Sequence, residues 1–149
     1  MITMQPEIRR AVTDDMDGVE ELLARNHLPL AGWREHVATT LVARQDGEVV
    51  GSAALEPYAD GVLLRSVAVA PHLRGRGLGR DLTEAALRLA RELHAPAVYL
   101  LTTTAAGFFP RFGFESIARG DVPASVQTSI EFTSACPATA TVMRKTLAG

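Results

Sequence analysis

"LRSVAVAPHLRGRGLGRDL", residues 64–82, decides how this chain is read. Its first half is rich in β-formers and stops at Pro71. Its second half opens an amphipathic run that continues to His94. Between them, from Arg74 to Arg80, stand three glycines and three arginines. A strand, a Gly-rich turn and a helix in that order leave backbone N–H groups at a helix N-terminus, where the helix dipole favours an anion. Glycines let the backbone approach a ligand closely and adopt positive φ. Arg74, Arg76 and Arg80 add local positive charge, so a pyrophosphate is the natural guest. The plainer alternative is a solvated turn whose arginines serve solubility.

Three phosphate-binding patterns compete for this turn. A Walker loop needs Gly-Lys-Ser/Thr, which is absent. A dinucleotide fingerprint G-x-G-x-x-G puts its last glycine at Arg80 or Leu82, depending on the start, and no acidic residue stands out on a following strand. The pattern R-x-x-G-x-G fits fully at Arg74, Gly77 and Gly79.

Working outward, "EIRRAV" (Glu7 to Val12) alternates like a first strand. Thr13 is placed to cap a helix whose start is favoured by Asp14, Asp15 and Asp17, with Met16, Val19, Leu22 and Leu23 at helical spacing. "LPLAGW" reads as a loop with room for a short helix after it. Asp46-Gly47 between β-rich runs marks a hairpin, and Asp60-Gly61 begins a strand over Val62 to Ala70. Leu78, Leu82, Ala85, Leu89 and Leu93 form one helix face. "AVYLLTT" is a buried strand, "AAGFFPRFGF" a short helix ending near Gly113 with Pro110 limiting it, and "ATVMRKTL" a last strand. The predicted order is β-α-(α)-β-β-β-α-β-α-β-β, a mixed sheet with helices packed on it. The unit Val62 to Thr102 implies one parallel pair.

The chain has 149 residues, 47% of them hydrophobic and 21% charged, with a net charge of -2 at pH 7. One domain is expected. That balance makes no case for nucleic acid or an anionic membrane surface, and no apolar run approaches a membrane span. "MITMQPEIRRAV" lacks the basic-then-apolar layout of a secretion signal, so a cytoplasmic location is expected. A single cysteine, Cys136, excludes an internal disulfide. His27, His36, His72 and His94 have no metal-ligand spacing, and no metal is expected.

With its flanking strand and helix, the R-x-x-G-x-G turn and the later "FFPRFGF" resemble the GCN5-related N-acetyltransferase (GNAT) superfamily, over nearly the whole chain. "LLTTTAAGFFPRFGF" and "AALEPY" are similar to the acetyltransferase domain of N-acetylglutamate synthases. "LLRSVAV", "LLTTTAAGFF" and the pairs Val122-Pro123, Glu131-Phe132, Cys136-Pro137 and Val142-Met143 resemble small acetyltransferases found with arsenic-resistance genes. The resemblance implies a single-domain α/β (α+β) fold over residues 1–149, with a mostly antiparallel sheet of about six to seven strands and helices on both faces. It implies acetyl-CoA as co-substrate, a small amino-acid-like amine as acceptor, arsenic- and phosphorus-containing analogues included, and terminal strands of a kind that often mediate homodimers.

By the same resemblance, Gly75, Arg76, Gly77, Leu78, Gly79 and Arg80, with Arg74, hold the cofactor's diphosphate. Main-chain groups of Val67, Ala68 and Val69 pair with the pantetheine arm, and the thioester sits where Val62–Ala70 and Ala97–Thr103 diverge. Many relatives carry a tyrosine at the position of Phe109 to protonate the leaving thiolate. Phe109 has no proton to give.

For the acceptor side, alternatives stay open residue by residue. Glu56 deprotonates the amine through water, or is an exposed strand-end glutamate. Tyr58 relays the proton or packs on the hairpin. Arg65, inside an apolar strand, needs a partner: an acceptor carboxylate held bidentately, or Glu56. Ser66 satisfies local hydrogen bonds. Thr102, Thr103 and Thr104 contact a substrate, or Thr103 or Thr104 caps a helix. Phe108, Phe109 and Phe112 are core, with one ring against pantetheine. Arg111 meets the nucleotide end or solvent. Leu28, Pro29 and Trp33 form a lid over the acceptor or a satellite core cluster. Cys136 reads as a buried small residue, because one thiol is a poor site for trivalent arsenic. Two rival functions are a CoA-binding module without turnover and an acetyltransferase acting on protein amines.

Overall fold

The computed structural model describes residues 6–147, apart from the side chains of Ser134 and Ala135. The first five residues, part of the stretch read above for a secretion signal, lie outside the described residues. The elements are β1 (Glu7–Arg10), α1 (Met16–Arg25), β2 (Thr40–Gln45), β3 (Glu48–Tyr58), β4 (Gly61–Val69), α2 (Leu78–Glu92), β5 (Ala97–Thr102), β6 (Glu115–Ile117), α3 (Ala124–Gln127) and β7 (Thr141–Thr146). The strands form one mixed seven-stranded sheet in the order β1-β2-β3-β4-β5-β7-β6. The described residues fall into two compact units, one within Met1–Ala54 and Ser66–Ala86, the other within Leu55–Arg65 and Leu87–Gly149.

In the first unit, β1 and β2 are antiparallel from Glu7↔Arg44 to Arg10↔Leu41. The β2–β3 hairpin closes where the sequence predicts, with Asp46 and Gly47 at φ 53 and 81. Those positive angles match the right-handed strand twist. β1 is shorter than expected, ending at Arg10. Helix α1 buries Val19, Leu22 and Leu23, as their spacing requires. The start of α2 sits directly on β3: a Cβ added at Gly51 would lie 2.7 Å from Leu82 Cδ1 and 3.3 Å from Leu78 Cδ2. Glycine there lets the helix approach the strand backbone. The buried surface of α2 is broader than one stripe, since Ala86, Leu87 and Ala90 are also buried, and Leu93, beyond the helix end, is 39% exposed.

The helix start at Thr13 differs from expectation. Residues Thr13–Asp15 form a 3₁₀ turn, and Thr13 does not cap. Asp15, read as an acid favouring the helix start, is 1% exposed. Its carboxylate accepts from Arg9 Nη1 at 2.8 Å, from Arg44 Nη1 and from the Val12 N–H at 2.8 Å. The Arg9 hydrogen bond, helped by Val12 and Arg44 and opposed by burial, holds the Asp15 carboxyl down at about 2. A carboxyl depressed in the fold stabilises above its unfolded value near 4, and that stability is lost as pH falls toward 2. Asp15→Asn is therefore expected to cost about 2 kcal/mol at pH 7. In urea titrations, the gap between wild type and variant should close between pH 4 and 2; a constant gap would refute the ionic cause.

In the second unit, β5 is parallel to β4 and antiparallel to β7. Among the described residues the parallel register consists of Val62↔Val98 and Leu63↔Tyr99. The β5–β7 ladder runs from Ala97↔Thr146 to Thr102↔Thr141, and β6 adds to β7 at the edge. Leu63, Ala97, Tyr99, Val122, Val126 and Val142 form its buried cluster. The short helix predicted in "AAGFFPRFGF" is a single 3₁₀ turn, Phe109–Phe112. Pro110 lacks the N–H that a longer helix would need.

Candidate active site

Two places in the chain carry chemistry, one in each unit. The first is the glycine turn. Gly75 and Gly77 have φ 80 and 83, a region that favours glycine. A Cβ at either position would meet no atom within 4 Å, so the space beside the backbone is open. The Asp81 N–H closes the first turn onto Gly77 O at 3.0 Å, which leaves the amides just before it without an intrahelical acceptor. Thr83 turns inward and donates its hydroxyl to Gly79 O at 2.8 Å. Arg76 and Arg80 are exposed, and Arg80 lies 3.9 Å from Glu84. Arg74 donates to Asn26 Oδ1 at the end of α1, which ties the start of the turn to that helix. Open backbone, positive charge and unpaired helix-start amides fit a diphosphate.

Upstream of this turn, Ser66 sits within β4 at φ 59. An L-residue held there stores of order 1–3 kcal/mol of backbone strain. The Ser52 hydroxyl fixes it by donating to Ser66 O at 2.6 Å. Val67 and Val69 are half-buried and Ala68 is buried.

The second place is a buried charge cluster. Glu56 is 1% exposed, which corrects the reading of an exposed strand-end glutamate. β3 continues to Tyr58 and takes Glu56 inside. Oε1 of Glu56 accepts from the Tyr58 hydroxyl at 2.6 Å and from Ser129 Oγ at 2.5 Å. Oε2 accepts from Arg65 Nη1 at 2.9 Å. Burial is the largest single influence and works against ionisation, but Ser129, Tyr58 and Arg65 together hold the Glu56 carboxyl below its ordinary range. Tyr58 is half-buried, and burial together with its bond to Glu56 pushes its phenol up to about 12. The phenol stays protonated and gives its proton to Glu56 as a hydrogen bond.

Arg65 is fully buried between two carboxylates of its own chain, with Nη2 3.4 Å from Glu131 Oε2. Of the two roles open in the sequence, the pairing with Glu56 is the one present. The guanidinium faces Glu56 and Glu131 rather than an acceptor. Glu131 is 5% exposed. Burial pushes its carboxyl up, against the pull of Arg65. The Cys136 thiol donates to Glu131 Oε1 at 3.4 Å. Burial and the neighbouring Glu131 push that thiol up to about 12, so it is not a nucleophile near neutral pH.

Ser129 carries no signal at the sequence level, and Glu131 enters there only within the Glu131-Phe132 pair, with no role attached. Ser129 lies 73 residues from Glu56 in the chain, and no spacing rule links them. Trp33 is 0% exposed and donates Nε1–H to Thr40 Oγ1 at 3.2 Å. It is a core residue of the first unit, not a lid; Leu28 is half-buried nearby in sequence. Thr102, not Thr103 or Thr104, closes the turn after β5, accepting from the Ala105 N–H at 2.9 Å. Thr103 is exposed. Phe109 is 6% exposed, with its ring centroid 5.1 Å from Phe108 and 5.7 Å from Phe114. Arg111 stacks on Phe108 at 4.8 Å. Among the described residues no group of three or more His, Cys, Asp or Glu side chains forms a metal site. No helix among them is long and apolar enough to cross a membrane.

The chain is similar to several known proteins. A family model described as the acetyltransferase (GNAT) domain matches residues 36–116. The chain is similar to an amino-acid acetyltransferase of Mycobacterium tuberculosis, 33% identical over 135 residues, covering 82% of this chain and 75% of that one. An amino-acid acetyltransferase of Azotobacter vinelandii is 30% identical over 128 residues, covering 80% of this chain, which spans only 30% of that protein's length. Among solved structures, a Mycobacterium tuberculosis protein in complex with CoA superimposes with a TM-score of 0.81 and 29% identity, covering 96% of this chain and 100% of that one. N-acetylglutamate synthase from Neisseria gonorrhoeae, complexed with coenzyme A and N-acetyl-glutamate, has a TM-score of 0.83 at 20% identity, covering 99% of this chain and 36% of that one. At that identity it speaks to the fold alone.

Proposed function

We propose, for a chain that belongs to the GNAT acetyltransferase family and takes its acetyl group from acetyl-CoA, that the acceptor is a small amino-acid-like amine handled by Tyr58 and Glu56. The observation that carries this reading is the half-buried Tyr58 hydroxyl donating at 2.6 Å to a buried, ionised carboxylate. With its proton committed to Glu56, the phenol oxygen has a lone pair to accept from an N–H, beside the Ser129 hydroxyl that also reaches it. The amine nitrogen attacks the thioester carbonyl carbon, and a C–N bond forms as the carbonyl electrons move to oxygen. The nitrogen of that tetrahedral adduct is far more acidic than a free ammonium. Its proton passes to the Tyr58 oxygen while the Tyr58 proton passes to Glu56 Oε1. A low-lying carboxylate is therefore an adequate final acceptor. Re-formation of the carbonyl then breaks the C–S bond and releases thiolate. Phe109 offers no proton, but a thiol of ordinary acidity, near 8.5, leaves tolerably as the anion.

On the donor side we assign the amides of Gly75 to Arg80, with Arg74 and Arg76, to the diphosphate of acetyl-CoA. The main chain of Val67 to Val69 is assigned to its pantetheine arm, and Phe108 and Arg111 to contacts further along the cofactor. Support comes from the open, positively charged turn and from the CoA bound by the 29% identical mycobacterial structure. For the acceptor, support comes from relatives named amino-acid acetyltransferases. Because Arg65 faces Glu56 and Glu131, we leave the acceptor carboxylate to another group.

A thiol-release screen tests the reading, run with amino acids, their phosphorus- and arsenic-containing analogues, simple amines and peptides. Turnover confined to small amines is expected. CoA binding without release on any amine would favour a silent binding module, and release with peptides alone would favour a protein acceptor.

A further inference from the structure

The segment after α3 reaches back to the carboxylate that the proposed reaction uses. Ser129 is 2% exposed. Its N–H donates to Val126 O at 3.1 Å, and its carbonyl accepts from the Phe132 and Thr133 N–H groups, each at 3.0 Å. The backbone on both sides of the hydroxyl is thereby fixed. The Glu131 N–H donates to Ser129 Oγ at 3.1 Å. An oxygen that accepts one hydrogen bond from a fixed amide turns its own proton elsewhere, here to Glu56 Oε1 at 2.5 Å. One turn of π-helix, Glu131–Ala135, follows immediately. Such turns are rare and are frequent at functional sites.

We infer that Ser129 is a positioning residue: a relay from the Glu131 amide through its hydroxyl holds Glu56 Oε1 in place as the group that receives the proton of Tyr58. This rests on the reading of Glu56 and Tyr58 given above. The charged and titratable groups facing Glu56 come from three elements: Tyr58 on its own strand, Arg65 on β4, and Glu131 with Cys136 behind it on the 129–136 segment. Arg65 and Tyr58 supply charge and proton. Ser129 is the donor that shares Oε1 with Tyr58, and a buried oxygen with two fixed donors has little freedom to rotate away.

Ser129→Ala removes only the hydroxyl. Carboxyl carbon NMR of the full chain, with the Glu56 signal identified by its loss in Glu56→Gln, should show the Glu56 titration moving up by about one pH unit. kcat should fall about tenfold, with the KM for acetyl-CoA unchanged. If the Ala variant does not fold, Ser129→Cys, close in shape with a weaker donor, decides instead, by a shift in the same direction. A Glu56 titration that stays put, or one that moves with kcat intact, overturns the positioning role. A Glu56→Gln enzyme with wild-type kcat removes the base reading and this inference together. An inactive Glu56→Gln beside an unaltered Ser129→Ala removes the inference alone.

Discussion

Glu56→Gln is expected to lower kcat by about 10²–10⁴-fold while leaving the KM for acetyl-CoA nearly unchanged. The amide keeps the volume and still accepts from Tyr58 and Ser129, but it does not take up a proton. The effect should therefore fall on the step that moves the proton, not on cofactor binding. Removing one partner of a buried ion pair can cost about 3–5 kcal/mol. Here Arg65 retains Glu131 at 3.4 Å, so the fold is expected to survive with a lowered melting temperature. Tyr58→Phe, which deletes the relay oxygen and leaves the Glu56–Arg65 pair intact, should reproduce the loss of kcat with a smaller thermal effect. Wild-type turnover by Glu56→Gln would remove the base assignment.

Gly77→Val should act on the other substrate. At φ 83 an L-residue costs about 1–2 kcal/mol, yet a Cβ there meets nothing within 4 Å. The variant therefore folds with a modest loss of stability. Its side chain fills the open space where a diphosphate would lie against the amides. Losing one charge-assisted hydrogen bond, of about 1.5–3 kcal/mol, corresponds to a rise of about 10–100-fold in the KM for acetyl-CoA. kcat at saturation should change far less, and calorimetric titration with CoA should show the same loss of affinity. An unchanged KM would place the diphosphate elsewhere. The two variants separate the assignments cleanly, since one is expected to act on kcat and the other on the KM of the donor.

The buried cluster also says what kind of stability to expect from it. Taking three charged side chains out of water is expensive, and such networks are weak evidence for added stability. Two buried carboxyl groups share one guanidinium, and burial pushes that of Glu131 up. Glu131 Oε2 lies buried without a hydrogen bond among the described residues. That arrangement is easier to understand as the cost of holding Glu56 ionised beside Tyr58 than as a device for folding.

Local physics was written in the chain wherever it acts over a few residues. Asp46-Gly47 specified its turn because few pairs take two positive φ angles cheaply. The spacing of Leu78, Leu82, Ala85 and Leu89 specified one helix face. Arg74 to Arg80 specified an open, positively charged turn at a helix start, because glycine freedom, helix-start amides and arginine charge all lie within one stretch. Other outcomes depended on which side chains the sheet brought together. Asp15 reads as a helix-start acid until Arg9 and Arg44, on two different strands, close on it. Glu56 looks like a strand-end charge until β3 carries it inward and Ser129 arrives from 73 residues away. Trp33 could have been lid or core, and only its burial against Thr40 chose. The glycine turn was legible because its residues are contiguous. Glu56, Tyr58 and Arg65 were named with their alternatives open and only packing chose between those, because desolvation and long-range pairing, which set a carboxylate's protonation and partners, exist only once the chain is packed.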